Sequence, residues 1–392
     1  MNTVELSLGY IPLVDAAPLI VAREVGFAEE EGIAFDLNKA PSWSMLRDML
    51  AHRQVDAAHM LSPVPIASAL GLGGAPAQFD VLSIMSVNGD VIGVSTALAE
   101  RMRDAGFEFG FTDAEAAGRA LIGAADGPLR VGVPFPFSMH AELLFYWLGA
   151  LGLAAPQALS VRTVPPPLMA TAIADGDIDA FCVGEPWGSI AVEDGVGTLL
   201  LPGAAIWAFA PEKVLAVRKG WAEDEPDLSA RVIRAVWRAG RWLDDQRNRQ
   251  IASEILAREI HLDVPAEILD RALSGHFIVS GAGEHRSWPE FVTFHDGAAA
   301  FPWRSQAAWI GNMLAARTGL DRQAAMQAAR QVFRSDLHRR ALSSLSVDLP
   351  GASEKLEGGL GEPQEVASQF GSLILRRDAF FDGRIFDLSK TE

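Results

Sequence analysis

The sequence predicts an α/β chain of two similar lobes with a ligand cleft between them. Three observations lead there. Short apolar strands alternate with amphipathic helices, the alternation repeats at a constant spacing, and a mostly helical region follows the second copy. Alternating strands and helices build βαβ units whose sheet is covered on both faces.

The repeat fixes the order of elements. Gly9 in Leu8-Gly9-Tyr10 matches Gly132 in Val131-Gly132-Val133, 123 positions on. Gly26 matches Gly149, Asp56 matches Asp179, Pro63 matches Pro186, and Asp90–Val94 matches Lys213–Val217, all at the same 123-residue offset. Five matches without an insertion indicate a structural duplication. In the first copy, Val4–Leu8 alternates as a strand, Pro18–Glu24 is helical, Phe35–Leu37 is a strand, Met45–His52 is helical, and Asp56–Leu61 is a buried strand. The second copy follows with Leu129–Val133, His140–Ala150, Ser160–Val164, Leu168–Ala174 and Ala180–Val183. A further apolar strand ends each copy and joins the lobes. Lobe I is expected over 1–92 and 215–392, and lobe II over 93–214.

The helical region runs through Leu228–Asp244, Ile251–Ile260, Pro265–Leu273, Ser305–Ala316 and Arg322–Phe333, and is expected to cover lobe I. Pro350–Glu362, rich in Gly and Glu, reads as a mobile loop. Phe380-Phe381-Asp382-Gly383 reads as a turn whose aromatics dock back on a lobe.

Composition narrows the function. The chain has 392 residues, 33 Lys and Arg against 50 Asp and Glu, and a formal charge of −17, with 49% hydrophobic residues. Such a chain buries a full core. Its charge argues against direct nucleic-acid binding, which needs clustered cations, but leaves room for one small anion in a local pocket. The single Cys182 forbids an intrachain disulfide or a cysteine metal knuckle, and within Phe181-Cys182-Val183 it reads as a small buried hydrophobe. No run is apolar enough for a membrane span. The start, Met1–Tyr10, lacks a basic region, an apolar segment and a lipidated cysteine, so a cytoplasmic chain is expected.

Enzyme signatures are poor. Gly71-Leu72-Gly73-Gly74 is not a dinucleotide fingerprint, and no Walker A, nucleophile elbow or His-Glu-x-x-His is found. No catalytic residue, cofactor or metal site is expected.

The cleft positions carry the chemistry. In open sheets, ligands sit beyond the carboxyl ends of strands, beside helix N-termini, whose free N–H groups suit anions. Ser42-Trp43-Ser44 opens one such helix, and its repeat partner is Pro165-Pro166-Pro167. Ser138-Met139-His140 opens another. Ser62-Pro63 and Glu185-Pro186-Trp187 follow the matched buried strands. Lys213 opens a connecting strand and can supply a full positive charge. Each has a plainer reading: Trp43 as a core aromatic, His140 as a helix N-terminal residue, Lys213 as a solvated edge charge. Glu185 reads as a hinge or supporting group, as do Ser62 and Trp187.

At these residues the chain resembles the NrtA/CmpA type of nitrate- and bicarbonate-binding proteins, and more closely their cytoplasmic NasS-type sensors. The matching segments are Gly9–Leu19, Ser42–Asp48, Asp56–Pro63, His140 with Tyr146-Trp147-Leu148, Val164–Pro167, Phe181–Trp187, Glu212-Lys213 and Phe380–Gly383. The resemblance implies a periplasmic-binding-protein-like (type II) fold and anion contacts from Trp43, His140 and Lys213, with Pro166 nearby. A lysine at 213 goes with nitrate or nitrite, an acid with bicarbonate. Asp90 departs from the pattern, which has glutamine there. As a repeat equivalent of Lys213, Asp90 is expected within ion-pair reach of it. The resemblance further implies a sensor that holds a NasT-like RNA-binding antiterminator inactive until its anion binds. The alternatives are the solute-binding subunit of an anion importer, which an export signal upstream of Met1 would favour, and an enzyme akin to pyrimidine-forming relatives, whose cysteine-rich motif one cysteine cannot supply.

Overall fold

A computed structural model describes residues 3–74, 77–368 and 370–390, so Met1 and Asn2 lie outside it. Two sheets form the frame. In the first, β1 (Val4–Tyr10) lies parallel to β2 (Ile33–Lys39) and to β3 (Ala57–Leu61). The strand β4 (Phe79–Asn88) sits further out. In the second, β6 (Leu129–Val133) lies parallel to β7 (Leu159–Thr163) and β8 (Ala180–Gly184), with β5 (Asp90–Ser95) and β9 (Gly197–Pro202) completing the order β7-β6-β8-β5-β9. The strand β10 (Pro211–Arg218) returns to the first sheet between β3 and β4.

The duplication is exact at the level of hydrogen bonds. Ser7 N donates to Asp56 Oδ2 at 3.1 Å, and Arg130 N donates to Asp179 Oδ2 at 3.1 Å, the same bond one repeat later. The last strand of each copy, however, crosses into the other lobe. Asp90 of β5 pairs with Gly184, and Lys213 of β10 pairs with Leu61, both antiparallel. The connecting strands therefore do not pair with each other. The crossovers lie just before Asp90 and Pro211, so 90–92 belong to lobe II and 211–214 to lobe I. This moves the expected boundaries at 92 and 214 back by a few residues. Asn88 and Gly89 carry the first crossover at φ 59° and 102°, a backbone that glycine adopts without penalty. Asn88 ties the two crossovers together: its Nδ2 donates to Ala208 O at 2.8 Å and its Oδ1 accepts from Ala210 N at 3.1 Å.

Most expected elements are present with small shifts at their ends, such as Pro226–Asp244 and Arg304–Thr318 in the helical region. The cover is broader than expected, because it grips both lobes. The Pro226–Asp244 helix packs on the Ala17–Glu24 helix of lobe I, with Val232, Val236, Leu19 and Ala22 in one core. On lobe II, Leu199 N of β9 donates to Val279 O at 2.8 Å, and Arg317 Nε donates to Glu142 at 2.9 Å. Phe380 stacks on Trp207 and Trp309, with centroids 4.8 and 5.8 Å apart, and Tyr146 Oη donates to Asp382 at 2.8 Å. The 350–362 segment is not the free loop its composition suggests. Lys355 and Glu357 are tucked in with Asp378 as a charge cluster, Lys355 Nζ lying 2.6 Å from Glu357. Paired charges override the Gly-rich composition here.

Candidate anion-binding cleft

The centre of the molecule holds a buried group of charges between the lobes. Lys213 stands in β10, mid-sheet, and is fully buried. Its Nζ lies 2.8 Å from Asp15 Oδ2 and 2.8 Å from Glu212 Oε1. Asp15 comes from the turn after β1, and His59 of β3 puts Nε2 2.9 Å from its other oxygen. Lobe II contributes His140, whose Nδ1 lies 3.0 Å from Glu212 Oε1. Trp43 closes the group from lobe I, its ring 5.6 Å from Lys213 Nζ and 5.5 Å from the His59 ring.

Local sequence explains these placements. Ser42 caps the Trp43–Ala51 helix by accepting from Met45 N at 3.3 Å, which turns Trp43 inward at the first helical position. Ser138 does the same for the Met139–Ala150 helix, accepting from Ala141 N at 3.2 Å and aiming His140 at the interface. Ser62 Oγ donates to Pro211 O at 2.5 Å, and its N–H donates to Glu212 O at 3.1 Å, fixing the backbone that carries Glu212 and Lys213.

Burial and pairing set the protonation states. Burial pushes Asp15 up, but Lys213 and His59 outweigh it and hold the carboxyl at about 2. Burial lifts Glu212 to about 8 against the pull of Lys213. Burial pulls Lys213 down, and Asp15 and Glu212 more than restore it, so it stays charged. His140 is driven well down by burial and then by Lys213, and His59 is lowered by burial despite Asp15, so both rings are neutral. Buried polar atoms here without a hydrogen-bond partner include Trp43 Nε1, His140 Nε2, His59 Nδ1 and Glu212 Oε2. Such atoms are costly inside a protein unless something else satisfies them.

Trp43, His140 and Lys213 thus converge, and the plainer readings of a core aromatic and a solvated edge charge do not describe them. Asp90 does not converge in the way expected. The carboxylates within 4.0 Å of Lys213 are Asp15 and Glu212, whereas Asp90 Oδ2 accepts from Cys182 Sγ at 3.2 Å and packs against the Gly203 backbone. The physical reason is the strand swap: Asp90 belongs to the sheet of lobe II and Lys213 to that of lobe I. Pro166 is buried at the start of the Pro166–Leu168 turn, where it offers shape and no donor. Glu185 and Trp187 hold the lobes together. Val14 N donates to Glu185 O at 2.9 Å, and Trp187 Nε1 donates to Pro12 O at 3.0 Å. Asp15, His59 and Glu212 were not singled out from the sequence. For Asp15 and His59 the available signal is an ionisable side chain inside an apolar run, and for Glu212 it is the charged pair with Lys213 at the start of an apolar strand.

Residues 1–257 match the NMT1-like family. The nitrate import ATP-binding protein NrtC of Synechocystis sp. is 32% identical over 317 residues, which is 80% of this chain and 46% of NrtC, so the chain spans about half of that relative. The nitrate/nitrite binding protein NrtA of Nostoc sp. is 28% identical over 393 residues, 96% of this chain and 87% of NrtA. The crystal structure of the periplasmic nitrate-binding protein NrtA from Synechocystis PCC 6803 superposes with a TM-score of 0.84 at 27% identity, covering 99% of this chain and 96% of that one. With one fold shared along the chain and the family match spanning all of lobe II and part of lobe I, the chain belongs to the NMT1-like family.

Proposed function

We propose that the chain binds nitrate or nitrite between its lobes and acts as a sensor. The observation that supports this reading most is the donor set around Lys213: one buried ammonium, with Trp43 Nε1 and His140 Nε2, from opposite lobes, buried without partners. A desolvated monoanion needs charge and donors together. The similarity to NrtA along the chain favours nitrate or nitrite as that anion. In the sensor reading the protein is cytoplasmic and sequesters a NasT-like RNA-binding antiterminator until the anion binds, with its acidic surface masking a basic partner. The second reading is the solute-binding subunit of a nitrate importer, favoured by the transport names of NrtC and NrtA.

Isothermal titration with nitrate, nitrite, bicarbonate and sulfate tests the ligand. Nitrate or nitrite should bind more tightly than bicarbonate, and equal or tighter bicarbonate binding contradicts the proposal. Size-exclusion chromatography with a NasT-like protein tests the role. Co-elution that nitrate dissolves supports the sensor, and separate elution with or without nitrate favours the importer.

A further inference from the structure

The charge count of the cleft does not balance once an anion enters it. Asp15 and Lys213 cancel each other at 2.8 Å. An ionised Glu212 would leave one net negative charge, and a monoanion would make two, all in a group with no exposed side chain. A second uncompensated charge there is prohibitive, whereas a proton removes it. Glu212 is placed to take that proton. Its Oε1 already touches Lys213 and the His140 ring, while its buried Oε2 has no partner.

Resting on the nitrate reading above, we propose that the cleft takes up its monoanion together with one proton, held on Glu212, whose carboxyl then donates to His140 Nδ1 and so makes His140 Nε2 a donor to the ligand. A neutral His140 has one ring proton, so with Glu212 Oε1–H donating to Nδ1 that proton sits on Nε2, and the donors left for the anion are Lys213 Nζ, Trp43 Nε1 and His140 Nε2. Such a donor set suits anions that only accept hydrogen bonds, such as nitrate and nitrite. Glu212 is therefore the acid whose protonation sets the donor state of the cleft.

The other ionisable groups facing Glu212 do not replace it. Asp15 is held ionised by Lys213 and His59. Lys213 stays charged, and His59 and His140 stay neutral. Cys182 is pushed well up by burial and by Asp90. Asp90 is raised by burial as well, and it is the one competing proton carrier. It is turned toward Cys182 and Gly203.

Titration calorimetry of the full chain with sodium nitrate, in two buffers of different ionisation enthalpy, reads the proton count directly. At pH 9 the wild type should take up close to one proton per nitrate. Its affinity should fall by up to about tenfold per pH unit above pH ~8. Glu212→Gln should bring the proton count to zero and the ratio of its Kd at pH 9 and pH 7 to about one. Nitrate binding by the wild type with no proton uptake at pH 9 overturns the proposal and leaves the nitrate reading intact. Uptake that survives Glu212→Gln and disappears in Asp90→Asn also overturns it, by assigning the proton to Asp90. Absence of nitrate binding at every pH from 6 to 9 overturns the nitrate reading itself. The wild-type proton count stands as a test even if the Gln variant does not fold.

Discussion

At the scale of single residues, Trp43 offers the cleanest test of the donor set. Its ring packs against His59 and Lys213, and its Nε1 is buried without a partner. Trp43→Phe keeps an aromatic ring and removes one N–H. A hydrogen bond to a charged group contributes about 1.5–3 kcal/mol, so nitrate affinity should drop roughly ten- to hundredfold by titration calorimetry. An unchanged Kd would remove Trp43 from the site. Asp90 should behave in the opposite way. Because it contacts Cys182 and Gly203 and no ion pair joins it to Lys213, Asp90→Asn should change nitrate affinity by less than about 1 kcal/mol. Asp90→Gln is a poorer probe: a methyl group at Gly203 would already lie 2.4 Å from Asp90 Oδ1, so a longer side chain has no room.

These residues also show what the sequence makes legible. Trp43 and His140 follow serine caps at helix starts, a local pattern with a local cause. Lys213 stands out as a cation opening an apolar strand. Asp15 is legible only as a charge in apolar surroundings, because its meaning depends on Lys213 reaching it across 198 positions, whereas Glu212 stands beside Lys213 and its role depends on His140 from the other lobe. The Asp90 expectation failed for a related reason. Sequence symmetry places it correctly at the start of a strand, but it does not say which lobe that strand joins.

At the scale of elements, the decisive feature is the exchange of β5 and β10 between sheets. The repeat spacing was readable, and the register Asp90 to Gly184 and Lys213 to Leu61 follows it exactly. The crossing itself was not readable, since an apolar strand fits an antiparallel position in either sheet. Asn88-Gly89 is where the chain makes the choice. Gly89→Ala forces a side chain into φ 102° with Val292 Cγ2 3.3 Å from the new Cβ. It should cost about 1–3 kcal/mol in urea unfolding, and a cost below about 0.5 kcal/mol would show that the crossover tolerates strain. The helical cover is legible in the sequence as a set of helices, but its reach onto lobe II is not. Its contacts to lobe II run through Arg317, Val279 and Phe380, none of which has a periodic signature.

At the scale of the whole molecule, buried ionisable groups set the pH profile of stability. Burial lifts Glu142, Glu185 and Glu212 to about 7, 7 and 8, above the 4.5 of an unfolded glutamate. The native state therefore holds protons that the unfolded chain has released, and stability is lost as pH rises through these values. His59, His140, His261 and His338 are lowered by burial from 6.5, His338 to about 4, so the native state resists their protonation and stability is lost as pH falls below 6.5. Between pH 4.5 and 6.5 the two sets oppose each other, and above 6.5 only the glutamates act. Thermal unfolding should show a maximum near pH 6–6.5 and a fall in Tm from pH 7 to 8.5. A Tm that rises over that interval would contradict the assigned states.

The central claim is that one monoanion sits between the lobes on the donors of both. A crystal structure of the protein grown with saturating nitrate tests it most directly. A single nitrate is expected within hydrogen-bond distance of Lys213 Nζ, Trp43 Nε1 and His140 Nε2. Nitrate held elsewhere on the chain, or a cleft without nitrate at that concentration, would contradict it.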